Sequence, residues 1–190
     1  MQNQFFKKRF LSFLLAIIMI VGFLPFKHIS NADVKVNEIY LDSAKGDDNS
    51  DGTKEKPVKT FAKAIEKAKD GDTLNVISLT EKNLTVNKKI TLKFLEDVTM
   101  QGSGTAITLK DGAHLCVAEG KTLNINGYNK GILVEKGAEI NDGNYVFKFP
   151  DNGFAFETSG NIVGTSKDKL KMDITNGYFM FHSKDNELRN

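Results

Sequence analysis

The sequence is poor in cysteine and lacks tryptophan, and Cys116 is the only thiol among its 190 residues. A single cysteine excludes an intramolecular disulfide, so packing or a bound ion must stabilise the fold. Cys116 stands in the apolar run from Leu115 to Ala118. We therefore expect a buried, unreactive thiol at this position.

A surplus of positive charge is also absent once the first 32 residues are set aside. Those residues hold four basic side chains and no carboxylate, which leaves 22 basic and 24 acidic residues in the rest of the chain. Proteins that bind nucleic acid usually present a basic face. The composition therefore predicts no nucleic-acid partner.

One long apolar run is present, from Leu11 to Phe26, and it follows basic residues at positions 7–9. A basic start before an apolar segment is typical of a bacterial secretory signal peptide. The run is shorter than the roughly 20 residues that span a bilayer, although an uncleaved anchor is the alternative. The small residues Ser30 and Ala32 predict cleavage after Ala32, so that residues 1–32 would meet the membrane only before cleavage.

Residues 33–76 are predicted to form a strand, a polar loop and one helix. The strand covers 38–41, and the following loop is dense in turn-forming Asp, Asn, Ser and Gly. Thr60 is placed to cap the N-terminus of the helix, and Gly71 to end the helix in a left-handed conformation. The apolar residues at helical spacing are Phe61, Ala64, Ile65 and Ala68.

Residues 77–190 consist of short β-type runs separated by Gly, Asn or Asp, with no second helix predicted. Such strands indicate a sandwich, a barrel or a solenoid. Repetition favours the solenoid, because the segment 104–115 is echoed 25 residues later at 129–140, and a third copy begins at Asn152. A period of roughly 20 to 25 residues is typical of one coil of a parallel β-helix.

Several short motifs succeed one another between residues 39 and 74. They are Ile39–Asp42, Gly46–Thr53, Lys56–Pro57, Lys59–Ile65 and Gly71–Leu74. In combination they resemble the N-terminal segment of exported, pectin-lyase-like β-helix proteins of bacteria. The resemblance covers about 40 residues and implies an all-β, right-handed parallel β-helix (solenoid) with an N-terminal amphipathic capping helix. It implies an extracellular setting but no activity, since enzymes and surface proteins share such a cap.

The C-terminal end has no evident cap after about five coils. Either the segment 179–181 closes the last coil, or the sequence is a fragment of a longer protein. Aromatic residues concentrate in this half of the chain and could stack on sugar rings if they faced outward. Alternation instead predicts interior positions for Val146, Phe154 and Phe156.

Catalytic residues are hard to assign. The resemblance implies an Arg or Lys base for a lyase, but Arg189 is the only arginine after residue 32. A hydrolase would need carboxylates on neighbouring coils, for which Asp111, Asp142 and Glu135 are candidates. Most aspartates instead stand beside Gly or Asn and read as solvated turn residues. His114 reads as a neutral residue at a strand edge, without a zinc-ligand spacing.

A calcium loop is the one metal site that the sequence predicts. Asp47, Asn49 and Asp51, followed by Gly52, match the first half of such a loop, but Val58 occupies the position of its bidentate Glu. The alternative is a loop held by its own Asx turns. No cofactor is expected apart from weakly bound calcium at these three residues.

These observations leave three functions open. The first is an exported, non-catalytic β-helix module of a bacterial cell-surface, adhesin-like or secreted protein, with carbohydrate or host-surface ligands. The second is a truncated carbohydrate-active enzyme, a polysaccharide lyase or glycoside hydrolase, of the pectin-lyase-like superfamily. The third is an assembly protein whose open end stacks on another chain.

Overall fold

The computed structural model describes residues 37–166 and 168–181. Among the described residues, every residue of the buried core belongs to one compact unit, which spans residues 35–190. This unit therefore has the core that it needs to fold by itself. The predicted signal peptide, residues 1–32, lies outside the described residues. In the described part, no helix has the length and hydropathy of a membrane span.

The described chain is an all-β parallel solenoid of about 4 turns with one helix, α1, at Phe61–Lys67. The strands are β1 Glu38–Asp42, β2 Thr73–Ser78, β3 Leu84–Val86, β4 Thr91–Phe94, β5 Val98–Gln101, β6 Thr105–Leu109, β7 His114–Val117, β8 Thr122–Asn126, β9 Lys130–Val134, β10 Glu139–Ile140, β11 Gly143–Thr158, β12 Asn161–Ile162 and β13 Leu170–Phe181.

The strands stack into three faces. Face A contains β1, β2, β4, β7, β10 and β12 in that order. Face B contains β5, β8 and the first halves of β11 and β13, and face C contains β3, β6, β9 and the second halves of those two long strands. All of these pairings are parallel, which confirms the predicted β-helix.

The period of the repeat is also confirmed, with a small correction. Lys110 pairs with Glu135 at a separation of 25 residues, as the sequence predicts for these coils. In the third copy, Lys130 lies opposite Phe154, and Glu139 lies opposite Asn161. These partners are 24 and 22 residues apart, so the spacing in the last coils departs from 25 because their turns differ in length.

Columns of aligned apolar side chains fill the interior. On face A, Leu74, Leu92, Leu115 and Ile140 lie opposite one another on successive coils, and all four are fully buried. Burying each such side chain contributes about 1.5–3 kcal/mol. The columns therefore hold the coils in register as well as together.

The corner between faces B and C has two successive inward residues on each coil. The first is small (Ala106, Gly131 or Ala155), and the second is large (Ile107, Ile132 or Phe156). A Cβ on Gly131 would lie 2.5 Å from Cε1 of Phe147. Small residues are needed in this column because the Phe147 ring fills the corner.

Aromatic side chains dominate the core of the later coils. Phe147 packs edge-on against Phe156, with ring centroids 4.9 Å apart, and stacks on Phe149 at 6.0 Å. The predicted interior position of Phe156 is confirmed. The predictions for Val146 and Phe154 are wrong: both are partly exposed, because the alternation along β11 turns Tyr145 and Phe147 inward.

The predicted helix is confirmed, and its N-terminus begins as expected. The Thr60 side chain accepts a hydrogen bond from the Lys63 N–H at 3.2 Å. Oε1 of Glu81 accepts a second bond, from the Phe61 N–H, at 2.6 Å. Phe61 and Ala64 are buried in the solenoid core, so α1 packs its apolar stripe as the sequence predicts.

The C-terminus of α1 differs from the prediction. The helix ends at Lys67, and Ala68 is already extended. The Nζ of Lys88 donates to the carbonyl oxygens of Ile65 and Ala68, both at 2.6 Å. Gly71 has a positive φ of 91°, but in a separate turn, so a distant lysine rather than Gly71 satisfies the helix end.

Phe156→Ala should lower the free energy of unfolding by about 3–5 kcal/mol, because it opens a cavity beside Phe147. Phe154→Ala is the matched control and should cost less than half as much, since Phe154 is partly exposed. Guanidinium denaturation followed by circular dichroism measures both losses. Equal losses would contradict this burial pattern.

Candidate functional site

A groove of about 670 Å³ lies on the outer surface where β7 and β10 end, and it spans the edge of face A and the turns toward face B. Its floor is formed by Lys93, Cys116 and Asn141 on successive coils, and Lys121, Lys169 and Lys171 are at its rim. The volume is within the range of small-molecule sites, roughly 300–1,000 Å³. The groove is therefore the candidate functional site.

The alternation of strands β4 and β7 places the floor residues outward. Leu92 and Leu115 are fully buried, so their successors Lys93 and Cys116, which lie opposite each other, face out. Asn141 continues this row, and its N–H donates to the Leu115 carbonyl at 2.7 Å. Neighbouring floor residues are thus about 4.8 Å apart along the solenoid axis.

Cys116 is therefore not in the interior, as the apolar run around it predicts, but half-buried on the groove floor. Burial raises the pKa of its thiol, and the nearby Lys93 ammonium lowers it by a smaller amount. The thiol consequently stays protonated at neutral pH. Its expected lack of reactivity agrees with this, because the thiolate is the reactive form.

One wall of the groove is the connection between β12 and β13, which Asp142 holds in place. Its Oδ1 accepts the Thr165 N–H at 2.7 Å, and its other oxygen accepts the Thr165 hydroxyl. These bonds hold the pKa of Asp142 below its ordinary value of 3.8, with a further contribution from the Lys169 charge. The carboxylate is ionised at neutral pH and positions the wall.

The lysines of the groove are not equivalent. Lys121 pairs with Glu96 on the neighbouring coil. In the part of the chain that the structure describes, Lys93, Lys169 and Lys171 form no salt bridge. Their ammonium groups, together with the Asn141 amide, can donate hydrogen bonds to a ligand with many hydroxyl or carboxylate oxygens.

A second polar row runs beside the groove on face A. Nδ1 of His114 lies 3.3 Å from Oε2 of Glu139, and Nδ2 of Asn161 donates to the other oxygen of Glu139 at 3.3 Å. His114 is half-exposed on the strand surface. Its pairing with Glu139 was missed by sequence reasoning, although the 25-residue repeat aligns the two positions.

The predicted calcium residues lie in an exposed loop far along the chain from the groove. Oδ1 of Asp47 accepts the N–H of Asn49 at 2.9 Å, and Oδ1 of Asp51 accepts the N–H of Thr53 at 3.1 Å. These bonds are the Asx turns of the alternative interpretation. Among the described residues, no group of three or more His, Cys, Asp or Glu side chains could hold a metal ion. Calcium binding by Asp47, Asn49 and Asp51 stays a prediction.

The three candidate carboxylates of a hydrolase do not meet on one face. Asp111 and Glu135 lie in turns between faces C and A, whereas Asp142 lies in the turn between faces A and B. Glu135 is already paired with Lys110 at 2.8 Å. Asp142 is therefore separated from Asp111 and Glu135, and the three carboxylates do not form one acidic cluster.

Comparison with protein-family models, with curated proteins and with solved structures found no match for this chain. The fold and the groove are therefore inferred from the residues of this chain alone.

Asp142→Asn should speed hydrogen exchange of the Thr165 amide at least about threefold at neutral pH, because it removes a charged acceptor. In the wild-type protein the bond should be complete above pH 3.8 and be lost as the pH falls through the lower folded pKa. The exchange rate of the Thr165 amide in the wild-type protein should then approach the rate in Asp142→Asn. Hydrogen exchange measured by NMR checks both statements, with Asp151→Asn as the control. If the ratio of the variant exchange rate to the wild-type exchange rate does not change with pH, both statements are contradicted.

Proposed function

We propose that this chain is an exported, non-catalytic β-helix module of a bacterial cell-surface or secreted protein that binds carbohydrate in the groove on face A. The row of Lys93, Cys116 and Asn141 carries the proposal. It presents polar groups on successive coils at a regular spacing beside a fixed wall. The N-terminal basic and apolar segments support export, and the resemblance of residues 39–74 supports an extracellular setting.

The groove suits a saccharide because its polar groups include both donors and acceptors. Lys93 and Asn141 can donate to hydroxyl oxygens, and the Asn141 amide oxygen can accept from hydroxyl groups. The half-buried Cys116 thiol gives the floor an apolar section between them. A shallow site of this kind exchanges solvent readily, so we expect weak binding that repeated contacts strengthen.

Three carboxylates at or beside the groove have structural partners, which supports binding rather than turnover. Asp142 holds Thr165, Glu96 holds Lys121, and Glu139 holds both His114 and Asn161. A carboxylate that acts as acid or base must exchange a proton with the substrate during each cycle. The observed bonds instead hold these three groups in place.

Binding is tested with an array of neutral and uronate-containing oligosaccharides and residues 33–190. The wild-type protein should bind at least one of these probes. Lys93→Ala combined with Asn141→Ala should weaken that binding about tenfold or more, since two donors that line the groove are lost. Lys136→Ala, in an exposed turn at another corner, should leave it unchanged.

Two results would contradict the proposal. Absence of binding to every probe would remove the carbohydrate ligand. Release of new reducing or unsaturated sugar ends by the purified protein would favour the enzyme of the pectin-lyase-like superfamily instead.

Export is tested by expressing the full chain in a bacterium and sequencing the N-terminus of the product outside the cytoplasm. It should begin at Asp33. Ala32→Phe should block cleavage, whereas Asn31→Phe should not, because a signal peptidase requires small residues only at the last and third-last positions. An intact N-terminus in the wild-type product would refute cleavage.

A further inference from the structure

The two end strands of the solenoid, β1 and β13, differ in whether their outer edge is covered. At the N-terminal edge, β1 is covered by the chain's own loop: Tyr40 N–H donates to the Gly52 carbonyl at 2.8 Å, and Val58 N–H donates to the Tyr40 carbonyl at 3.0 Å. At the other edge, β13 pairs with β11, and within the described residues no strand lies on its far side. The outer edge of β13, a strand of 12 residues, is a template for pairing with another chain.

The register fixes which backbone groups of β13 point outward. Gly143 N–H donates to the Lys169 carbonyl at 2.9 Å, so Lys169 directs its carbonyl group toward β11. Because successive residues of a strand alternate sides, the N–H and C=O groups of Leu170, Met172 and Ile174 point away from β11. These groups form the free edge.

The side chains of β13 alternate between the inner and the outer surface of the sheet. Leu170, Met172 and Ile174 are partly buried, and Met172 lies over Tyr145 on the coil below. Lys171 and Asp173 are exposed on the outer surface. The edge therefore combines unpaired backbone, an apolar inner row and two opposite charges on its outer row.

We propose that β13 pairs antiparallel with β13 of a second copy of this chain, around a two-fold axis at Met172. In this arrangement Met172 lies opposite Met172 of the second copy, and Leu170 lies opposite Ile174. The outward N–H and C=O groups of all three residues are then paired. The apolar inner rows of the two chains also become continuous.

The charges of Lys171 and Asp173 favour this register over the alternative registers of the two strands. Pairing centred on Met172 places Lys171 opposite Asp173 of the second copy, and the symmetry makes this pair twice. Pairing centred on Lys171 would place two lysines opposite each other, and pairing centred on Asp173 would place two aspartates opposite each other. Cross-strand pairs of opposite charge stabilise a sheet, and like charges destabilise it.

The proposal is tested by sedimentation equilibrium of residues 33–190 over a wide range of concentration. The wild-type protein should be a dimer at the upper end. Lys171→Asp alone and Asp173→Lys alone should each weaken the dimer about tenfold or more, because two attractive pairs become repulsive. The double swap, Lys171→Asp with Asp173→Lys, should restore it, and Lys136→Asp should have no effect.

A second variant tests the backbone pairing itself. Met172→Pro removes an N–H that faces solvent in the single chain, so the fold should persist, as checked by circular dichroism. Dimerisation should be lost. A monomer at all concentrations, a dimer unaffected by these variants, or open-ended oligomers would each overturn the proposal. Binding in the groove is tested with Lys93 and Asn141, so the two proposals can fail separately.

Discussion

The parallel backbone ladder between coils is the constraint on which the rest of the structure depends. Each strand must pair its N–H and C=O groups with a strand one coil away, as when His114 N–H donates to the Ile90 carbonyl and Glu139 N–H to the Ala113 carbonyl, both at 2.9 Å. Unpaired buried backbone is costly. The ladder therefore forces residues about one period apart in sequence to lie opposite one another, and so aligns the apolar columns of the core.

The same constraint creates the surface on which function is proposed. Since alternate residues of a face A strand point inward, the residues between them form polar rows on the outside. Lys93 and Cys116 become neighbours in this way, although they are distant in sequence, and so do His114 and Glu139. The wall held by Asp142 then turns one stretch of this surface into a groove.

A ladder also leaves an unpaired strand at each end, and within the described residues a local solution is seen at the N-terminal end. The loop before α1 pairs with β1, and the helix covers the interior of the first coil with Phe61 and Ala64. At β13 the outer backbone groups have no such loop among the described residues. This difference between the ends is the structural reason for expecting self-association at β13.

The sequence alone determined most of the strands, the repeat, the single helix and its Thr60 cap, because local alternation and helical spacing are properties of neighbouring residues. It did not reveal β5, β13, the end of α1 at Lys67 or the outward position of Cys116. Those depend on turn lengths and on partners such as Lys88, about one coil away in sequence. Only the tertiary structure decided which side chains share the groove, because a change of one residue in a turn shifts every contact of the coil that follows.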